Sequence, residues 1–108
     1  GKDTNSYHLW AEKEGEIIAY SRILPPGVSY EETSIGRVLV KIDYRGHGIG
    51  KKLMNKTLDF ILNEMGKTEI RISAQERLVD FYESLGFKQV SEMYLEDDIP
   101  HIEMYFKK

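Results

Sequence analysis

Cysteine is absent from the 108-residue chain, which excludes disulfide staples, thiolate metal sites and any mechanism that carries an acyl group on a cysteine. Long apolar runs are absent too: the longest reach three or four residues, far below the ~20 needed to cross a bilayer. The opening "GKDTNSYHLW" lacks the charged-then-apolar order of a signal peptide, so a cytoplasmic protein that enters no membrane is expected. Charge of one sign is not in excess, with 15 Lys+Arg against 18 Asp+Glu and a net charge of −3, and no basic surplus argues for nucleic acid. No histidines and carboxylates fall at zinc spacing, and no metal is expected. Repeats, low-complexity tracts and linkers are missing, and residues 1–108 read as one domain held by packing alone.

What is present is an alternation of element types. "YHLWAEK" and "EIIAYSRIL" alternate apolar and polar residues, and they predict an antiparallel hairpin over Tyr7 to Lys13 and Glu16 to Leu24. "TSIGRVLVKI", Thr33 to Ile42, is β-branched and nearly continuous in apolar character, as a central strand covered on both faces would be. From Gly48 to Met65 the residues Ile49, Leu53, Met54, Leu58, Ile61, Leu62 and Met65 trace a helical stripe, with Lys51, Lys52 and Lys56 on the solvated face. "TEIRISA" puts Ile70, Ile72 and Ala74 on one face and Arg71 and Ser73 on the other. "QERLVDFYESLGF" predicts a second helix, and the remaining "KQVSEMYLEDDIPHIEMYFKK" predicts two strands joined by an acidic turn at Glu96 to Pro100. The order strand, strand, strand, helix, strand, helix, strand, strand is a mixed α/β (α+β) layer fold.

The junction between the third strand and the first helix is "YRGHGIGKKL", Tyr44 to Leu53. A helix start offers unbonded N–H groups and the positive end of the macrodipole, about half a charge, and so holds phosphate well. Glycine permits the tight turn and lets a ligand approach the backbone without meeting a Cβ. Arg45 and Lys51 add whole charges at the rim, and the junction reads as a pyrophosphate cradle. It is not a P-loop, because Lys52 stands at the Ser/Thr place and Arg45 at the first glycine place. Nor is it the dinucleotide fingerprint, whose third glycine would fall where Lys51 stands.

Arg-x-x-Gly-x-Gly, in Arg45, Gly48 and Gly50 after the Val38-Leu39-Val40 run, resembles the coenzyme A loop of the GNAT acyltransferase superfamily. The block ending in Phe81-Tyr82-x-x-x-Gly86-Phe87 resembles a second segment of that superfamily, and "SAQERLVDFYESLGF" with "YLEDDIPHIEM" is similar to its ElaA-like branch. The likeness runs over nearly the whole chain. It implies a mainly antiparallel mixed sheet with two helices packed on it. In that sheet two central parallel strands, Ser34 to Ile42 and Glu69 to Ala74, splay apart to admit a pantetheine arm. It also implies that the superfamily's usual first strand and helices are missing before Gly1, with Asp3 and His8 on matching positions just ahead of its second strand.

The same resemblance implies an N-acetyltransferase that uses acetyl-CoA as acyl donor on a primary amine of a small molecule or peptide, by direct attack in a ternary complex. The backbone of Val38, Leu39 and Val40 would pair with pantetheine and polarise the thioester carbonyl. Amides of Gly46, His47, Gly48, Ile49, Gly50 and Lys51 would take the pyrophosphate. Tyr82 stands at the position of the usual thiolate protonator, since a phenol of pKa near ~10 can donate to a departing thiolate; Phe81 and Gln75 stand where the cofactor is commonly contacted. As a core residue, Tyr82 would instead belong to the stripe of Leu78 and Leu85, and Gln75 would be a polar helix start.

The superfamily's glutamate on the central strand has no counterpart, because Arg37 and Lys41 are the ionisable residues there. Candidate bases are His101, since an imidazole ordinarily titrates near ~6.5, and the cluster Glu96, Asp97, Asp98, which is otherwise a solvated turn. His8 and His47 read as surface and loop residues, and Trp10 with the seven tyrosines as sheet packing. Two other classes stay open behind the enzyme: a catalytically idle coenzyme A-binding or interaction module, and a structural domain whose glycines only make a turn. The acceptor and the oligomeric state have no readable code.

Overall fold

The two opening strands pair as their alternation requires: β1 (Tyr7–Lys13) and β2 (Glu16–Leu24) run antiparallel, from Tyr7 opposite Ile23 to Lys13 opposite Glu16. The turn between them places Glu14 and Gly15 at φ 53° and 81°, the left-handed pair that matches strand twist in a two-residue hairpin. The computed structural model describes residues 6–108, so Asp3 lies outside the described residues.

β3 (Ser34–Val40) adds to β2 and completes a three-stranded sheet of order β1-β2-β3. It is shorter than the run Thr33 to Ile42. Thr33 makes only an isolated bridge, and Ile42–Tyr44 wind into a 3-10 turn once the Lys41 N–H has made the last bond, to the Ile18 carbonyl, at 2.8 Å.

The amphipathic stripe forms α1 (Ile49–Asp59), which buries Leu53, Met54 and Leu58, and its final turn at Phe60–Glu64 widens into a π-turn closed by the Met65 N–H on the Phe60 carbonyl at 3.0 Å. Beneath it Thr57 donates to the Leu53 carbonyl at 2.8 Å, which uses its one proton. Ser21 of β2 therefore donates to the Thr57 hydroxyl, also at 2.8 Å, and satisfies a polar pair in an apolar layer.

β4 (Glu69–Gln75) lies beside β3 but touches it only at its start, through a parallel bridge between Thr33 and Ile70. Beyond that point the two strands part. β4 pairs instead with β7 (Ile99–Lys107), from Glu69 opposite Lys107 to Gln75 opposite His101, and β7 also receives the short β5 (Lys88–Gln89) and β6 (Tyr94–Glu96). The tail thus holds three strand pieces where two are expected.

The second helix is also shorter than its pattern. Gln75 stays in the β4 ladder, Glu76–Leu78 form a 3-10 turn, and only Val79–Glu83 are α-helical, as α2. The ladder to His101 takes the residue that the helical reading had claimed. Both sheets and α1 nevertheless share one core, in which Ile23, Met54, Ile61, Ile70 and Met104 are fully buried. Among the described residues no helix is long and apolar enough to cross a membrane.

Candidate functional site

α1 begins at Gly48, whose φ of 75° is left-handed, and no side chain caps its free amides. Gly46 precedes it at φ 83°. A Cβ on either would meet nothing within 4 Å, so the backbone angle rather than crowding calls for glycine here. Among the described residues the amides from Gly46 to Lys51 make none of the turn, loop or side-chain bonds, whereas Tyr44 and Arg45 just before them bond back to Lys41 and Ile42.

Arg45 is partly engaged: its Nε donates to the Val40 carbonyl at 3.1 Å, tying the loop to the end of β3. A Cβ on Gly50 would lie 3.5 Å from Val40 Cγ2 and 3.9 Å from Phe81 Cζ, so β3, the start of α1 and α2 converge at that point. Grooves flank the loop, an apolar one of ≈ 590 Å³ reaching Ile49 and Lys52, and another of ≈ 340 Å³ reaching Leu39, Val40 and Arg45. His47 is exposed on the loop, and His8 stacks on Tyr20 and shares a 2.5 Å hydrogen bond with its hydroxyl.

Tyr82 is 7% exposed and packs edge-on against both Phe81 and Phe87. Burial pushes its phenol above the ordinary value, so the hydroxyl keeps its proton. Among the described residues that hydroxyl makes none of the side-chain hydrogen bonds, and it is not one of the sealed polar atoms without a partner, which leaves it reachable. Gln75 Oε1 accepts from Arg77 Nε at 2.9 Å.

On the face of β4 and β7 opposite the helices, polar groups collect. Ser73 and Tyr94 share a 2.5 Å hydrogen bond, and Glu96 lies 3.4 Å from Ser73 Oγ. Tyr30 lies beside them, and burial, together with the neighbouring Tyr94 phenol, pushes its own phenol up to about 12. His101 is buried with Nδ1 2.8 Å from the Ile99 carbonyl, which can only accept, so Nδ1 carries the proton. Its Nε2 then faces the Glu96 carboxylate at 3.5 Å. The sequence candidates His101 and Glu96 thus come together. Asp97 and Asp98 sit at φ 52° and 62° in the exposed turn and, among the described residues, join no such pair.

A cavity of ≈ 410 Å³ opens where β3 and β4 part, with Gly36 on one strand, Ser73 on the other and Arg22, Tyr30 and Glu96 around it. Gly36 is the residue that motif reading missed. Ile35 faces Ile23 and Arg37 faces Arg22, so Gly36 has no partner and forms a β-bulge beside the gap. The signal was present, a lone glycine inside a β-branched strand. Arg22, Ser73, Tyr30 and Tyr94 carried no sequence signal, because only the fold gathers them.

A family model described as "Acetyltransferase (GNAT) domain" matches residues 2–108. The chain is 41% identical over 97 residues to Protein ElaA of Escherichia coli (strain K12), covering 90% of this chain and 63% of that protein, so it spans less than two thirds of this relative's length. The crystal structure of Escherichia coli ElaA superposes with a TM-score of 0.89 at 38% identity, over 99% of this chain and 73% of that one. The crystal structure of an acyl-CoA N-acyltransferase from Pseudomonas aeruginosa gives 0.86 at 40% identity, over 94% and 68%. A GNAT family acetyltransferase from Elizabethkingia anophelis with acetyl-CoA bound shares the fold at 18% identity, with a TM-score of 0.80 over 99% and 79% of the two chains.

Proposed function

We propose that this chain, which belongs to the GNAT acetyltransferase domain family, transfers an acetyl group from acetyl-CoA to a primary amine of a small molecule or peptide, by direct attack in a ternary complex. The observation that carries this reading is the uncapped start of α1 beside two strands that part. Free amides and the positive helix end suit a pyrophosphate there, and the acyl-CoA chemistry in the name of the Pseudomonas aeruginosa relative agrees with that donor.

When bound, acetyl-CoA supplies an electrophilic thioester. Amides of Gly46, His47, Gly48, Ile49, Gly50 and Lys51 hold the pyrophosphate, with Arg45 and Lys51 at the rim. Backbone groups of Val38, Leu39 and Val40 pair with the pantetheine arm and polarise the carbonyl, and Phe81 and Gln75 border the same channel. The Glu96 carboxylate receives the acceptor as an ammonium ion, and His101 Nε2 takes the proton that must leave before the nitrogen can attack. The amine nitrogen would bond to the thioester carbon as the carbon–sulfur bond breaks, Tyr82 would give its phenolic proton to the departing sulfur, and the second proton that the nitrogen sheds on becoming an amide would restore the phenol.

Titration calorimetry with acetyl-CoA tests the first half: a saturable interaction is expected, and Gly48→Val should remove it. Release of free thiol in the presence of an amine panel tests the second. Binding without any thiol release would leave a coenzyme A-binding module and end the catalytic reading.

A further inference from the structure

One carboxylate faces the cavity where β3 and β4 part. Among the described residues that line it, Glu96 is the only acid, and the Tyr30 phenol, raised to about 12, keeps its proton. Glu96 ends β6 just before the exposed turn, and its side chain is 54% exposed. A glutamate so placed has several rotamers open to it, and only a partner can hold it toward His101.

Two hydroxyls supply that hold. Ser73 Oγ lies 3.4 Å from Glu96 Oε1 and 2.5 Å from the Tyr94 hydroxyl. A carboxylate can only accept, so Ser73 gives its one proton to Glu96, and Tyr94 therefore donates to Ser73. Glu103 stands opposite Ser73 in the β4–β7 ladder but does not compete, because Arg71 takes its carboxylate at 2.8 Å. Tyr94 itself stands opposite His101 in the β6–β7 ladder, and the two rings stack with centroids 6.3 Å apart and planes at 27°. One tyrosine thus covers the imidazole with its ring and reaches the carboxylate through Ser73 with its hydroxyl.

Resting on the acetyl-transfer reading above, we propose that Ser73 and Tyr94 are positioning residues for the acceptor amine. The order Tyr94 to Ser73 to Glu96 fixes Oε1 and leaves Oε2 aimed at His101 Nε2, 3.5 Å away, so that an incoming ammonium group meets carboxylate and base together. Loss of either hydroxyl frees Glu96 to swing into solvent. The effect then falls on acceptor KM rather than on the chemical step.

Thiol release from acetyl-CoA with cadaverine, putrescine, benzylamine and a lysine-bearing peptide reads this effect, the fastest acceptor being carried through all variants. Ser73→Ala should raise its KM about tenfold while kcat changes less than about threefold, the scale of one hydrogen bond to a charged group. Ser73→Thr keeps the hydroxyl and should restore most of the loss. Tyr94→Phe keeps the ring on His101 and should give a smaller rise, and the double variant Ser73→Ala/Tyr94→Phe should be no worse than Ser73→Ala alone. In a Glu96→Gln background Ser73→Ala should add less than about twofold, because its effect passes through the carboxylate. Acetyl-CoA affinity measured on each variant shows that it is folded. A full Ser73→Ala effect in that background, or a KM indifferent to Ser73→Ala, would overturn the proposal and leave acetyl transfer standing. If no amine releases thiol, the transfer reading fails instead, and calorimetric titration of the CoA-saturated protein with the same amines decides this one. Amine binding that Ser73→Ala weakens only while Glu96 is present supports it; indifference, or no binding, overturns it.

Discussion

The backbone N–H of Arg71 donates to the carbonyl of Thr33 at 2.9 Å, and this bond lies where β3 and β4 stop touching and begin to diverge. The Arg71 side chain reinforces the same point. Its Nε and Nη2 reach Glu32, both at 3.1 Å, its Nη1 reaches Glu103 at 2.8 Å, and its guanidinium lies 5.1 Å from the centre of the Tyr105 ring. The apex of the wedge is therefore pinned by an ion cluster that spans the loop before β3, β4 and β7.

Arg71→Met should destabilise the fold by about 2 kcal/mol, because it strands two carboxylates that are partly withdrawn from water. Urea unfolding measures this as a lower midpoint with an unchanged slope. The cluster also gives stability a pH dependence of known sign. The hydrogen bond from Arg71 holds the Glu32 carboxyl below its ordinary value. Its contribution is full above the ordinary glutamate value of about 4.3 and is lost as pH falls through the lowered folded value. Glu32→Gln should flatten that acid limb.

Tyr82→Phe removes a buried proton donor and little volume. An expected loss of about a hundredfold in kcat, with acetyl-CoA affinity unchanged, would mark it as the acid that serves the leaving sulfur. Since burial raises the phenol, no alkaline fall in kcat from Tyr82 should be seen below pH ~10. Lost affinity with unchanged turnover per bound complex would contradict the role.

Gly48→Val forces a β-branched residue to φ 75°. Strain of about 1–2 kcal/mol is expected there, and calorimetry should show at least tenfold weaker acetyl-CoA binding as the first amides of α1 turn away. Gly66→Ala, at φ 67° beyond the far end of the same helical segment, should lose stability without losing the ligand.

His101→Gln should lower kcat by about a hundredfold with acetyl-CoA affinity unchanged. Glu96→Gln should lower kcat/KM for cationic acceptors more than kcat. If kcat is unchanged in His101→Gln, the proton goes elsewhere.

The buried pair under α1 offers a test without the ligand. Ser21→Ala removes a donor and leaves Thr57 bonded to Leu53, at a cost of about 1 kcal/mol; Thr57→Val leaves the Ser21 hydroxyl sealed without a partner, at about 2 kcal/mol. The double variant should lose less than the sum.

Local periodicity made much of the framework legible. The hairpin over residues 7–24, the stripe of α1 and the alternation of Ile70, Ile72 and Ala74 each appear where a period of 2 or 3.6 required them. Patterns failed where a partner strand overruled them. Gln75 reads as a helix start, but the ladder to His101 keeps it extended, and α2 shrinks accordingly.

By itself the sequence determined the chemistry of the glycine loop, because a left-handed turn feeding an uncapped helix is written in consecutive residues. Tertiary structure alone decided which side chains gather where β3 and β4 part. Arg22, Gly36, Ser73, Glu96 and His101 sit on separate strands whose approach depends on register and on a bulge, and register is set by pairings between distant segments. No local pattern carries that information, since the energy fixing it is spread over the shared core of both sheets.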